Sequence, residues 1–212
     1  MSSSAGIIII GDEILSGRTK DTNINWIANE LNQIGIHLKE ARVIEDDKKT
    51  IINTVLEFSK KFTYVFTSGG IGPTHDDITT ESIAAAFKVD LEKNKIAMNL
   101  LKKHYEKSNI DFNEARQKMA IIPKGASLID NPVSVAPGFN IKNVYVFAGI
   151  PKIMQSMFHS ISSKLKGGII IKSKTITCDI GEGKIASDLS QIQNQFLNMK
   201  IGSYPYFNPQ SF

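Results

Sequence analysis

Tyr64-Val-Phe-Thr-Ser-Gly-Gly-Ile-Gly-Pro-Thr-His-Asp-Asp77 carries a short β-branched and aromatic run straight into a glycine-rich turn. Tyr64 to Thr67 reads as a buried strand, and Thr79 or Thr80 can cap a helix through Ile83, Ala84 and Phe87, with Glu81 in its first turn. Upstream, Ile7-Ile-Ile-Ile10 is another run of the kind buried on both faces of a parallel sheet. After the loop Gly11 to Asp21, apolar residues at Ile24, Ile27, Leu31 and Ile34 step by three or four. Thr22 or Asn23 can cap that helix and Gly35 can end it, with Trp26 a packing residue. A strand over Leu38 to Ile44 and a helix over Ile51 to Phe62 complete the first half. Strands alternating with helices need crossover connections. The fold class is therefore α/β, a mainly parallel sheet covered on both faces.

The second half continues the pattern, then leaves it. Ile96 to Tyr105 and Phe112 to Met119 are helical, Leu128 to Phe139 is irregular, Val144 to Phe147 is a strand, and Ile153 to Leu165 is a helix. After Gly167-Gly168 comes a β-rich run, Ile169 to Ile180, then an amphipathic helix from Ile185 to Phe196 and a final strand from Ile201 to Phe207. This divides the chain into residues 1–167 and a small α+β appendage, residues 168–212.

In parallel sheets, ligands bind where loops leave the carboxyl ends of strands. Three loops qualify here: Gly11 to Asp21, Ser68 to Asp77, and Ala148 to Pro151. In the second, Gly69, Gly70 and Gly72 lack a Cβ, so successive backbone N–H groups can turn towards an anion. A phosphate there would also feel the positive end of the next helix. Asp76 and Asp77 follow directly, and acids beside a phosphate repel it unless a cation bridges them. A divalent metal such as Mg²⁺ is the expected partner. Read singly, one aspartate can be no more than a helix cap and the glycines no more than a turn. The spacing matches neither the phosphate loop of nucleoside triphosphatases nor the dinucleotide fingerprint.

The first loop repeats the theme. Asp12 and Glu13 can join a metal site or orient a ribose, and Ser16, Arg18, Asp21 and Asn23 offer further polar groups. His75 is a candidate general acid or base, or a structural loop residue. His37, His104 and His159 have no metal-ligand spacing.

The 212 residues carry a mild net charge of +4, with lysines scattered rather than gathered into a stripe. That argues against a nucleic-acid partner and leaves an anionic small molecule. A single cysteine, Cys178, excludes an internal disulfide framework and is read as a small strand residue. Apolar runs are too short to span a membrane, and Met1-Ser-Ser-Ser-Ala lacks signal-peptide features, so a cytoplasmic protein is expected.

Gly11-Asp-Glu-Ile-Leu15 with Gly17, Asp21, Thr22 and Asn23, followed by Thr67 to Asp77, resembles the molybdopterin-binding domain, the fold of the MoaB and Mog molybdenum-cofactor proteins. The chain is most similar to the amino-terminal domain of the competence/damage-inducible CinA proteins and to the corresponding domain of eukaryotic FAD synthase. Ala115-Arg-Gln117, Pro123-Lys-Gly-Ala126, Asn131-Pro132, Ala136-Pro-Gly-Phe139 and Gly149-Ile-Pro151 fit the same pattern, and Ile180-Gly-Glu-Gly-Lys-Ile185 resembles the start of the family's small second domain. Gly183 stands there where serine is more usual.

The resemblance implies a three-layer α/β/α sandwich and a homo-oligomer, dimer or trimer. It implies a pyrophosphatase, dependent on Mg²⁺, Mn²⁺ or Co²⁺, that acts on ADP-ribose or a related dinucleotide such as FAD and releases AMP plus a second phosphate. Asp76 and Asp77 would hold the metal. Gly69, Gly70, Gly72 and Thr74 would bind phosphate, Asp12, Glu13, Asp21 and Asn23 would line the site, and Arg116 and Lys184 would reach the ligand as cations. The chain ends at Phe212 without the amidase domain many CinA proteins carry, so deamidase activity is not expected, and the second domain ends early. Two other readings stand beside the enzyme: a non-catalytic molybdopterin-binding module, and an oligomeric scaffold with a vestigial site.

Overall fold

The computed structural model describes residues 3–205. In chain order these form β1 (Ser4–Ile10), α1 (Asp12–Leu15), α2 (Asn23–Gln33), β2 (His37–Ile44), α3 (Lys48–Lys61), β3 (Tyr64–Ser68) and α4 (Thr79–Phe87). Then come β4 (Leu91–Lys93), α5 (Lys95–Lys107), α6 (Glu114–Lys118), β5 (Ile121–Pro123), β6 (Ser127–Ile129), β7 (Gly138–Ile141), β8 (Val144–Phe147), α7 (Pro151–Ser162) and α8 (Glu182–Gln195).

Six strands make one sheet in the order β2-β1-β3-β8-β7-β6. The first four run parallel, with Ile7 opposite Ala41 on one side and Phe66 on the other. β7 and β6 extend the sheet antiparallel. These two strands lie at the ends of the stretch expected to be irregular. Pro132, Pro137 and Gly138 read as breakers, yet Gly138 heads a strand, where a Cβ would overlap the carbonyl oxygen of Val146 on β8.

The isoleucine run of β1 divides the core by alternation. Ile8 and Ile10 pack with Ile51, Val55 and Phe58 of α3 and Ile83 of α4. Ile7 and Ile9 pack with Ile27 and Leu31 of α2 and Met154, Met157 and Phe158 of α7. Helices thus cover both faces, the three-layer sandwich anticipated, and each fully buried isoleucine contributes roughly 1.5–3 kcal/mol. Gly6 lies where a Cβ would fall 2.6 Å from the Phe58 and Phe62 rings, so α3 sits close against β1.

Between α4 and β6 the chain builds a separate lobe. β4 and β5 pair antiparallel, and α5 and α6 gather around Ala97, Leu101 and Ala120. The periodicity of Phe112 to Met119 shortens to the single turn of α6, capped by Asn113, whose Oδ1 accepts from the Arg116 N–H at 3.1 Å.

Two compact units emerge, dividing at Ile171 and Lys172. Gly167 and Gly168, expected to mark the boundary, are bound to the first unit. The Gly168 N–H donates to Gly35 O at 3.0 Å, and a Cβ on Gly167 would overlap the Ile34 carbonyl. The second unit differs from its expected β-rich content. The run Ile169 to Ile180 forms no strand, Cys178 is an exposed free thiol outside any strand, and Ile201 to Tyr204 are not strand either. β-branched residues favour a strand only where a ladder partner exists, and no strand lies in this unit among the described residues. Tyr206 and Phe207, the end of the expected final strand, lie outside the described residues. α8 is present, and the Gln193 side chain ties its end to the Met199 carbonyl and the Ile201 N–H. Among the described residues no helix is long and apolar enough to cross a membrane.

Candidate functional site

The carboxyl ends of β2, β1, β3 and β8 lie side by side. β1 is followed on one side by β2 and on the other by β3, so the chain reverses its direction of progress across the sheet between β1 and β3. At such a switch point adjacent loops diverge and leave a crevice. All three predicted loops meet there, joined by a fourth, Glu45 to Asp47 after β2.

Gly69 and Gly70 adopt φ of 116° and 67°, a region that side chains rarely tolerate. A Cβ on Gly69 would overlap the Ile10 carbonyl at the end of β1, and one on Gly70 would overlap the Thr79 hydroxyl. The Gly69 N–H donates to Phe147 O at 3.2 Å, and Gly70 O accepts from Thr79 N–H at 3.0 Å. The turn is therefore locked between strand ends and the first residue of α4. Thr79 starts α4 but makes no cap, and its hydroxyl is buried without a partner.

Asn23 ties the loops together from the start of α2. Its Nδ2 donates to Ser68 Oγ at 2.9 Å and to Gly149 O at 2.8 Å, while its Oδ1 is buried and unpaired. It is 4% exposed, a bolt between β3 and β8. Asp21 caps α2, its Oδ1 accepting from the Ile24 N–H at 3.0 Å, a task expected of Thr22 or Asn23.

The two adjacent aspartates part company. Asp77 Oδ2 accepts from the Thr74 N–H at 2.8 Å and from the Thr74 hydroxyl, which closes the turn on itself, and it lies where a Gly72 Cβ would crowd it. Asp76 is exposed. Its carboxyl is held below the usual range by the polar groups of the turn, Thr74 first, and by the charges of His75 and Lys118. His75 is fully exposed, with Nδ1 4.0 Å from Asp76 Oδ1.

Asp46, in the fourth loop, was invisible to sequence reasoning. Its Oδ2 accepts from the Asp12 N–H at 3.0 Å, and its own N–H donates to Asp12 Oδ1 at 3.3 Å. Burial pushes the Asp46 carboxyl up, and the charges of Asp12, Glu13 and Asp76 push it further. Acids from two other loops thus act on the Asp46 carboxyl. The only advance signal was position, since Glu45-Asp-Asp47 follows a strand end as Gly11-Asp-Glu13 does.

Lys118 was missed as well. It reaches from α6 to donate to Thr74 O at 2.6 Å and Asp77 O at 2.9 Å. Arg116, by contrast, stays within its own lobe, its guanidinium 5.1 Å from the Tyr105 ring centre and bonded to the Asp111 carbonyl. Lys184 belongs to α8 of the second unit.

Among the described residues no three His, Cys, Asp or Glu side chains converge as a metal-binding group. A cation held by one or two carboxylates plus a substrate phosphate needs no such triad. A cation would relieve the repulsion that Asp12, Glu13 and Asp76 exert on the Asp46 carboxyl, which burial raises first. Asp76 is exposed, whereas Asp77 Oδ2, Asp46 Oδ2 and Asp12 Oδ1 each already accept a backbone N–H.

A profile of the family described as probable molybdopterin binding domain matches residues 6–166. The chain belongs to this molybdopterin-binding domain family. Residues 171–212 match the family described as FAD synthase, middle domain. A protein of Archaeoglobus fulgidus is 34% identical over 199 residues, covering 94% of this chain and 84% of that protein. One of Sulfurisphaera tokodaii is 38% identical over 165 residues, and the chain spans 63% of its length. The crystal structure of the protein CinA from Thermoplasma acidophilum, described as of unknown function, superposes with a TM-score of 0.71 at 34% identity, over 77% of this chain and 98% of that one. MoaB of Thermus thermophilus, at 15% identity and a TM-score of 0.52 over 77% of this chain and 91% of that one, shares the fold. The molybdopterin-binding domain here is thus the CinA-like form, followed by a segment related to FAD synthase.

Proposed function

We propose that the chain hydrolyses the diphosphate linkage of a nucleoside diphosphate, ADP-ribose first and FAD as a related substrate, with a divalent cation (Mg²⁺, Mn²⁺ or Co²⁺). The observation that carries this reading is the juxtaposition of a side-chain-free glycine turn with acids from three loops at the switch point. A backbone turn next to clustered carboxylates suits a phosphate–cation pair.

Gly69 and Gly70 bring backbone close to the substrate phosphates, and the amino end of α4 adds its positive field. Asp76 would hold a cation together with Asp12 or Asp46, and the cation when bound would polarise the phosphoryl oxygens and lower the pKa of water. Water adds to one phosphorus as the bridging P–O bond breaks, and ADP-ribose yields AMP and ribose phosphate. Asn23 keeps the loops in register, and Glu13, folded back over Gly11, borders the nucleotide side.

The test is AMP release from ADP-ribose and from FAD with each cation in turn. No release with any cation, or release undiminished in Asp76→Ala plus Asp77→Ala, rejects the reading.

Membership of the molybdopterin-binding family favours one second reading, a non-catalytic module that holds a pterin phosphate in the same cradle. It predicts pterin fluorescence in the purified protein and no turnover. With either guest we expect a cytoplasmic homo-oligomer, dimer or trimer. Exposed apolar residues such as Ile169, Ile176 and Leu197, and a free exposed thiol suited to a reducing compartment, support that expectation.

A further inference from the structure

Lys118 ends α6, far from the glycine turn in sequence, and its ammonium group brackets the turn that presents Asp76. It donates to the carbonyl oxygens of Thr74 at 2.6 Å and Asp77 at 2.9 Å, the first and last residues of the turn. The turn's own closing bond, from the Asp77 N–H to Thr74 O, is long at 3.4 Å. Ion-assisted bonds of this length are about twice as strong as neutral ones, so the lysine supplies rigidity that the backbone alone does not. In a trans peptide the N–H points opposite to the carbonyl. Holding Thr74 O therefore turns the His75 N–H away from Lys118.

We propose that Lys118 is a positioning residue of the cation and phosphate site. It fixes the Thr74–Asp77 turn so that Asp76 is presented in one geometry, and it makes the α5–α6 lobe part of the catalytic apparatus. The proposal rests on the pyrophosphatase reading above. The lysine touches no reacting atom. It acts as an outer-shell partner does, through the orientation of a group that meets the ligand, and such partners are typically worth roughly 10- to 100-fold in metal affinity or activity. The lobe has its own small core around Ala97, Leu101 and Ala120, and Met119, the residue after the lysine, packs against it.

The experiment compares the full chain with Lys118→Met and Lys118→Arg. Apparent Mn²⁺ affinity is followed by electron paramagnetic resonance in the presence of AMP, which supplies the phosphate, and AMP release from ADP-ribose is followed over a Mn²⁺ series. Amide exchange is read at residues 74–78. Lys118→Met is expected to weaken Mn²⁺ binding roughly 10- to 100-fold and to speed exchange in the turn, with a KM and Mn²⁺ requirement that rise more than kcat falls. Lys118→Arg, which keeps charge and donors, is expected to recover most of the affinity. Mn²⁺ affinity and turn exchange unchanged in Lys118→Met overturn the positioning role. So does a loss confined to melting temperature, with Mn²⁺ affinity intact well below it. A wild-type protein that binds Mn²⁺ in a Lys118-dependent way yet releases no AMP rejects the pyrophosphatase reading and leaves the positioning role standing.

Discussion

Asp76 and Asp77 are adjacent in sequence, and their side chains do different work. Asp77 accepts two bonds from Thr74 and builds the turn, whereas Asp76 faces outward beside Asp12 and Asp46. Asp76→Asn should therefore lose cation affinity by at least about 10-fold while its urea midpoint stays within error of wild type. Asp77→Ala should lower the midpoint as well, because the Thr74 N–H and hydroxyl lose their acceptor. Mn²⁺ titrations paired with urea melts check both, and equal behaviour of the two variants would contradict the division of labour. Gly69→Ala is a harsher change. With φ of 116° and the Ile10 carbonyl in the way of a Cβ, it is expected to cost about 1–3 kcal/mol or more by urea denaturation, and to abolish ligand binding. Glycines at the turn were legible because Gly69-Gly-Ile-Gly72 after a strand has few other uses. Asp46 and Lys118 were not. Asp46 matters through burial near Asp12, and Lys118 through bonds to residues 41 and 44 positions away, neither of which leaves a local pattern.

Among elements, β2 is an edge strand and is held by a charged clasp. Arg42 bonds Glu57 of α3 at 2.7 Å and Glu40 at 2.6 Å, Lys61 bonds Glu40 at 2.6 Å, and the guanidinium lies 4.7 Å from the Phe58 ring centre. Lys61, then Arg42, hold the Glu40 carboxyl below its usual range, and Arg42 does the same for Glu57. Both folded pKa values are lowered, so the stabilisation is present above the ordinary glutamate pKa and is lost as pH falls through the folded values. Arg42→Met should melt below wild type at neutral pH, and the gap should close on acidification past the glutamate range. Calorimetry from neutral to acid pH reads this, and a gap constant with pH would count against the clasp. Charged side chains along this edge also oppose pairing with another sheet. The parallel strands and their helices were readable because Ile7 to Ile10 and Val144 to Phe147 are buried on both faces and show it as unbroken apolar runs. Ile169 to Ile180 is also rich in β-branched residues but is broken by Lys172, Lys174 and Asp179. It has no neighbouring strand among the described residues, and composition alone does not supply a ladder. The β4–β5 pair escaped notice because three-residue strands are shorter than any pattern of alternation.

At the scale of the molecule, every buried apolar cluster among the described residues lies before Lys172, and α8 buries none of its residues. A chain ending at Ile171 should therefore keep its cooperative melt, with Tm shifted by no more than about 2–4 °C, the change that about 1 kcal/mol produces in a domain of this size. Differential scanning calorimetry checks it. A non-cooperative melt would show that the second unit supplies core after all. The glycine turn has a consequence for this domain's history. A cradle made from backbone has no side chain to match to a particular guest, so substitutions elsewhere can exchange one phosphorylated ligand for another without rebuilding it. Selectivity then falls to the loops after β1 and β2, where Asp12 and Asp46 bond each other. The anchor can stay constant while the recognising surface drifts, and one scaffold can serve a lineage of different small molecules.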